Sequence, residues 1–201
     1  DKDPIVAPLR ADMVNSILEL CNHDRAQTFV DPSPYNALVS CYSADEEAGP
    51  SGPVLTTAEL APLLDERGAL GSKNCRIAAM IALASIASSH LKIVKNNPLI
   101  ENRIWLNCFD QNEAIRIEAR RAWGIIHDVA DLESATTLPP PSPMYAIPLL
   151  PLLSNDDESI AGAAAEAYAH GMGAHPKSVN RNIQKLCGIF VESCPSDGTE
   201  D

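Results

Sequence analysis

Three segments of this chain place apolar residues at one set of helical offsets, and that coincidence limits the fold more than any single motif. Counted from Ile115, offsets 0, 4, 7, 8 and 11 fall on Ile115, Ala119, Ala122, Trp123 and Ile126. They form one continuous face of an α-helix. Counted from Cys75 they give Cys75, Ala79, Ala82, Leu83 and Ile86; from Ile160, Ile160, Ala164, Ala167, Tyr168 and Gly171. A fourth set, Val6, Arg10, Met13, Val14 and Ile17, fits less well at Arg10. A small residue at offset 4, then a small–large pair, predicts close helix packing at the same point in each unit.

Each of these helices has an apolar partner before it. Asn97 is placed to cap a helix that starts with Pro98 and runs through Trp105 to about Cys108. The stretch TTAELAPLLDERG predicts another, from Thr56 or Thr57. PMYAIPLLPLLSN predicts a third, bent or shortened where Pro148 and Pro151 remove backbone donors. After Pro176, Val179, Ile183, Leu186, Cys187 and Phe190 mark a last amphipathic helix with no partner following, half a repeat as at a truncation. Arg76 to Arg116 is 40 residues and Arg116 to Ala161 is 45, whereas Ala7 to Arg76 is 69. The first two spacings match helical-hairpin repeats of the HEAT or armadillo kind. The expected fold is all-α, a solenoid of stacked antiparallel helix hairpins.

The domain reading follows. Residues 1–42 form a degenerate helical region with an extra helix over Ser33–Tyr42, and 43–55 an acidic Gly/Pro loop. HEAT-like repeats occupy 56–193, at about 56–90, 97–130, 144–172 and a half repeat at 176–192. Residues 194–201 are a flexible tail. The proline cluster in DLESATTLPPPSPM favours an extended linker.

With 4% aromatic residues and an apolar share built on Ala, Leu and Ile, the composition suits helix over strand. No run approaches 18 apolar residues, so no membrane span is expected. DKDPIVAPLR lacks the order of a signal peptide. The six cysteines form no C-x-x-C pair, and a reducing, cytoplasmic setting is expected. The net charge is −12, yet Lys73 to Arg121 carries 8 bases against 4 acids. Lys92, Lys95, Arg103, Arg116, Arg120 and Arg121 make a basic band that could contact a partner. The plainer reading is a solvated helix surface. An acidic whole argues against generic nucleic-acid binding.

No constellation in the chain demands catalysis, and no cofactor or metal is expected. The five histidines are scattered, and His170 and His175 lack thiols at metal-ligand spacing. GMGAH follows a helix and lacks a G-K-[ST] ending, so it reads as a helix stop. The acids of LLSNDDES suit a helix N-terminus. Ser88, Ser89 and His90 are adjacent without any elbow motif. Trp105 and Trp123 are expected in the core, with Arg120 and Arg121 flanking it and reaching solvent.

In HEAT repeats an Asp at the turn and an Arg early in the second helix recur as a ladder bonding neighbouring repeats and turn backbone. Asp110 and Arg116 match that placement, and Arg76 matches the Arg, with Asp65 displaced by GALGSK. Asp1 and Asn155 take the acid position elsewhere, while Ala7 and Ala161 lack the base. The other reading of Arg116 is an ordinary solvated helix residue.

LIENRIWLNCFDQNEAIRIEARRAWGII, then IPLLPLLSNDDESIAGAAAEAYAHGM and NRNIQKLCGIFVES, resemble the family of large HEAT-repeat scaffolds of general amino-acid control, from about Leu60 to Ser193. The most particular element is RIWLNCFDQNEAIRIEARRAW, and CFD…IR…A…W is also shared with a proteasome-associated HEAT adaptor. The resemblance implies a non-catalytic segment of a solenoid arm. It implies partners too: the ribosome, and, through other regions, the protein kinase that phosphorylates initiation factor two. It carries no kinase-binding motif onto this chain. The acidic balance leaves contact with basic ribosomal proteins more fitting than contact with rRNA. The alternative is another HEAT adaptor, of the proteasome-associated or nuclear-transport type.

Overall fold

The structure, a computed structural model, describes residues 6–23, 57–95, 97–129 and 137–193, together with Ala37. Apart from Ala37, which is helical, the expected extra helix at Ser33–Tyr42 lies outside the described residues. So do Asp1, the 43–55 loop and the 194–201 tail. Among the described residues the chain is helical, with no strand.

The elements follow the hairpin order. They are α1 (Val6–His23), α2 (Thr57–Leu64), α3 (Lys73–Ser89), α4 (Leu91–Lys95), α5 (Pro98–Asn107), α6 (Glu113–His127), α7 (Ala146–Leu149), α8 (Glu158–Ala174) and α9 (Val179–Ser193). The short α4 was not anticipated from the sequence. The prolines act as expected on the third hairpin: α7 stops after one turn and continues as a 3-10 helix over Leu150–Ser154. Asn97 caps α5, its side chain accepting from the Leu99 N–H at 3.1 Å, with Pro98 in the first helical position. The glycines of GMGAH do not themselves stop α8. Gly171 and Gly173 lie inside it, and the helix ends at Ala174 with His175 as its cap.

The three strong offset sets are all buried: Cys75 to Ile86, Ile115 to Ile126 and Ile160 to Gly171. The register assigned to α1 needs correction. Met13 is 56% exposed, and the buried stripe is Val14, Leu18 and Cys21. These are spaced 4 and 3 apart, so the true face is rotated from the one that Met13 suggested.

Helix packing explains the composition of each helix. α3 lies in the middle, against α1, α2, α4, α5 and α6, and it buries residues nearly all the way round. Its many alanines let those neighbours approach closely. α6 uses one stripe, on α3 and α5, and keeps Glu113 and Arg121 in solvent. The second helices α1, α3 and α6 therefore form a row, and α2, α5 and α7 lie beside one another on the first-helix side. α8 does not extend the second-helix row. It packs on α5, on α7 and on the 3-10 turn, with at most a marginal contact to α6. α5 offers it Trp105, whose Nε1 donates to the Ala167 carbonyl of α8 at 3.0 Å.

Candidate functional site

The turns between paired helices share one local device. Asp65 Oδ1 accepts from the Arg67 N–H at 2.9 Å, Asp110 Oδ1 from Asn112 N–H at 2.7 Å, and Asn155 Oδ1 from Asp157 N–H at 2.9 Å. Each is a short side chain bonding backbone two residues on, which fixes the turn. In the second and third hairpins the following residue then caps the helix. Asn112 accepts from Ala114 N–H at 3.2 Å, and Asp157 accepts from Ser159 N–H at 2.8 Å. The first turn is longer and needs Gly68, where a Cβ would come within 2.5 Å of the Leu63 carbonyl oxygen.

The arginines of α3 and α6 reach back to these turns. Arg76 Nη1 donates to the Gly71 carbonyl at 2.8 Å. Arg116 Nη1 donates to the Asp110 carbonyl at 2.8 Å and to that of Gln111 at 3.3 Å. Arg76 then continues across the stack. Its Nε lies 3.0 Å from Asp110 Oδ2, an ionic contact with the N–H off the hydrogen-bond axis. Its Nη2 donates to Ser159 Oγ at 3.1 Å, and Nη1 is 3.6 Å from Asp157 Oδ2. One guanidinium thus touches the turns of three hairpins. Sequence reasoning singled out Arg76, Asp110 and Arg116 but missed Asp157 and Ser159. The available signal was Asn155: the third turn lacks the acid at that position and carries one two residues later.

Burial sets the electrostatics of this junction. Arg76 and Asp110 are 5% and 2% exposed. Burial pushes the Asp110 carboxyl above its ordinary range, against the lowering effects of the Asn112 N–H and the Arg76 guanidinium. Asp157, on the rim, is held below its ordinary range, first by the Ser159 hydroxyl. At Asp110, desolvation thus outweighs the attraction of the Arg76 guanidinium. The arrangement holds turns at fixed spacing.

The residues of the basic band go to different places. Lys92, Lys95 and Arg121 are exposed, and Arg121 Nε pairs with Glu118 Oε2 at 2.9 Å. Arg103 is drawn into the α2–α5 junction, where Nε donates to the Leu64 carbonyl at 2.9 Å. Burial lowers its pKa to about 10, so it remains a cation at neutral pH. Arg120 is half-buried, with a buried Nε that has no hydrogen-bond partner, so it reaches solvent less than expected.

An aromatic file links α8 to α6: His170 on Phe109 at 4.7 Å, Phe109 on Trp105 at 4.8 Å, Trp105 on Trp123 at 5.0 Å, and Trp123 on His127 at 4.4 Å. Both tryptophans are core, and both N–H groups are used. Trp105 Nε1 donates to the Ala167 carbonyl at 3.0 Å and Trp123 Nε1 to that of Pro139 at 3.1 Å. The proline segment is thereby strapped down. Ser142 N–H donates to Glu101 Oε1 at 3.0 Å, and His175 Nε2 is 2.8 Å from the Pro141 carbonyl oxygen. Among the described residues no group of three or more His, Cys, Asp or Glu is placed to hold a metal. Nor is any helix there long and apolar enough to cross a membrane. Comparisons with protein families, with curated proteins and with solved structures find no match to this chain.

Proposed function

We propose that this chain is a non-catalytic scaffold segment whose work is to hold helical hairpins, and what docks on them, at fixed spacing. The observation that carries this is the Arg76 junction: a buried cation spent on the turns of three hairpins positions backbone and presents no reactive group. The motif RIWLNCFDQNEAIRIEARRAW supports placing the segment in a cytoplasmic, HEAT-type solenoid arm of a ribosome-binding activator. The activated enzyme is the kinase that phosphorylates initiation factor two in amino-acid starvation. Within the basic band, Lys92 and Lys95 are exposed, as is Arg121 beside Glu118, and these are the band's cations open to a protein contact.

Co-sedimentation of the natural protein with ribosomes, with and without residues 60–193, tests the reading. Reduced co-sedimentation of the deletion protein is expected. Undiminished co-sedimentation, with recovery of proteasome caps or transport receptors in a pull-down, would replace it with the second reading. That reading is a proteasome-associated or nuclear-transport adaptor, favoured by the shared CFD…IR…A…W pattern.

A further inference from the structure

Charges of both signs surround a cavity of about 280 Å3 where α4, α5 and α6 meet, lined by Val94, Lys95, Glu101, Ile126, His127 and Asp128. Lys95 and Asp128 are exposed and make no ion pair or hydrogen bond through their side chains among the described residues. Glu101 gives Oε1 to the Ser142 N–H and forms no ion pair there either. A lysine and two carboxylates thus face one space without neutralising one another. Asp128 is held there by backbone: at φ 55° it is the left-handed cap of α6, the sole non-glycine residue with positive φ among those described. The left-handed cap is a common way for a helix to end, and it sets the direction in which that side chain leaves the backbone.

The surroundings sharpen the ligand chemistry. The C-terminal end of α6, with its partial negative charge, adds to Glu101 and Asp128 on one side. Lys95 stands alone as the cation, because burial holds the His127 imidazole below its ordinary pKa and so neutral at pH 7. Val94 and Ile126 are buried and give the cavity an apolar floor. The volume lies just under the range of about 300–1,000 Å3 usual for drug-sized ligands. That leaves room for a small molecule.

We infer that this cavity binds a small zwitterion, its ammonium end between Glu101 and Asp128 and its carboxylate on Lys95. The inference does not rest on the Arg76 junction that carries the scaffold reading, since it concerns a different end of the α5–α6 hairpin; the two readings share Lys95 alone. The His127 ring lies 4.4 Å from Trp123, so occupancy next to it should perturb tryptophan emission.

The test is calorimetric and fluorescence titration of the whole chain with γ-aminobutyrate and with L-alanine, beside butyrate and butylammonium as single-charge controls. Saturable binding of at least one zwitterion is expected, about tenfold or more tighter than either control. K95M and E101Q should each weaken it by about tenfold, with unchanged circular dichroism. The side-chain amide in E101Q would keep an acceptor for the Ser142 N–H, so a loss there reads charge and not the strap. Equal binding of butyrate or butylammonium would overturn the inference, as would binding that K95M and E101Q leave intact. Absence of saturation by both zwitterions at millimolar concentration would overturn it equally.

Discussion

Arg76 and Asp110 show why a buried ion pair can be worth keeping when its net stabilisation is small. The pair is formed at 3.0 Å, yet burial raises the Asp110 pKa in spite of it. An acid with a raised folded-state pKa is most favourable to stability below its unfolded value, and that contribution is lost as pH rises through the folded value. Removing the counterion makes the charged form costlier still. R76M should therefore destabilise the chain by about 3–5 kcal/mol at neutral pH, the usual cost of leaving a buried charge unpaired. The deficit should shrink on acidification, as Asp110 takes up its proton. Chemical denaturation at several pH values checks this, and R76M/D110N should be more stable than R76M alone. A deficit independent of pH would assign the effect to lost packing instead.

A second residue-scale prediction concerns glycines that look alike in the sequence. A Cβ on Gly171 would strike the Tyr145 ring, whereas one on Gly173 meets nothing within 4 Å. Tyr145 cannot easily give way, since its hydroxyl donates to the Tyr168 carbonyl and accepts from Asn182 Nδ2, both at 3.3 Å. G171A should cost about 1–3 kcal/mol through overpacking. G173A should be neutral or stabilise by up to about 1 kcal/mol from helix propensity. Thermal melts of the two variants give the comparison, and equal effects would mean that the Tyr145 contact yields.

At the scale of elements, α6 joins the aromatic file to the strap, and His127 at its end makes the junction sensitive to pH. Burial lowers the His127 pKa from 6.5. The unfolded chain therefore binds a proton that the folded chain refuses. Stability supported by this residue is present above pH 6.5 and declines as pH falls through that value toward the lower folded pKa. H127F keeps a ring on Trp123 and removes the titration. The melting temperature of the natural protein should fall between about pH 7 and 5 by more than that of H127F. Parallel curves would exclude His127 as the source.

Much of this element-level architecture was legible because helical periodicity and caps are local. The offset sets from Ile115, Cys75 and Ile160 name residues that are buried, and Asn97 caps α5 as its position before Pro98 implies. The face of α1 is misleading in the sequence because Met13 is apolar without being inside. The seat of α8 on α5 was not legible at all. It depends on which helix leaves an apolar surface free, a comparison between distant segments that no single periodicity contains. For the same reason Arg76 could be picked out by its place in α3, while its reach to Ser159, 83 residues away, could not.

For the molecule as a whole, the distribution of buried surface implies a gradient of local stability along the chain. α3 packs against five helices, α1, α2, α4, α5 and α6, and forms the middle of the stack. α9 is covered on one side, where Leu186 packs on the core and Asn182 is buried, its carbonyl accepting from the Tyr168 hydroxyl and its Nδ2 donating to the Tyr145 hydroxyl, both at 3.3 Å. It leaves Phe190 71% and Val191 70% exposed. Few buried apolar contacts mean a low free energy of local opening. Hydrogen exchange should therefore be fastest in α9, intermediate in α8 and slowest in α3. Links that couple α8 to the other hairpins include the Trp105 N–H on the Ala167 carbonyl, the His170 ring on Phe109, and the Arg76 contacts with Asp157 and Ser159. W105F removes the first while keeping most of the ring packing. It should raise exchange in α8 and α9 selectively and leave α1 and α3 near their natural rates. Equal acceleration in every helix would show that the third hairpin opens only with the rest, as one cooperative body. Protection of α9 matching that of α3 would show that its exposed face is covered in solution.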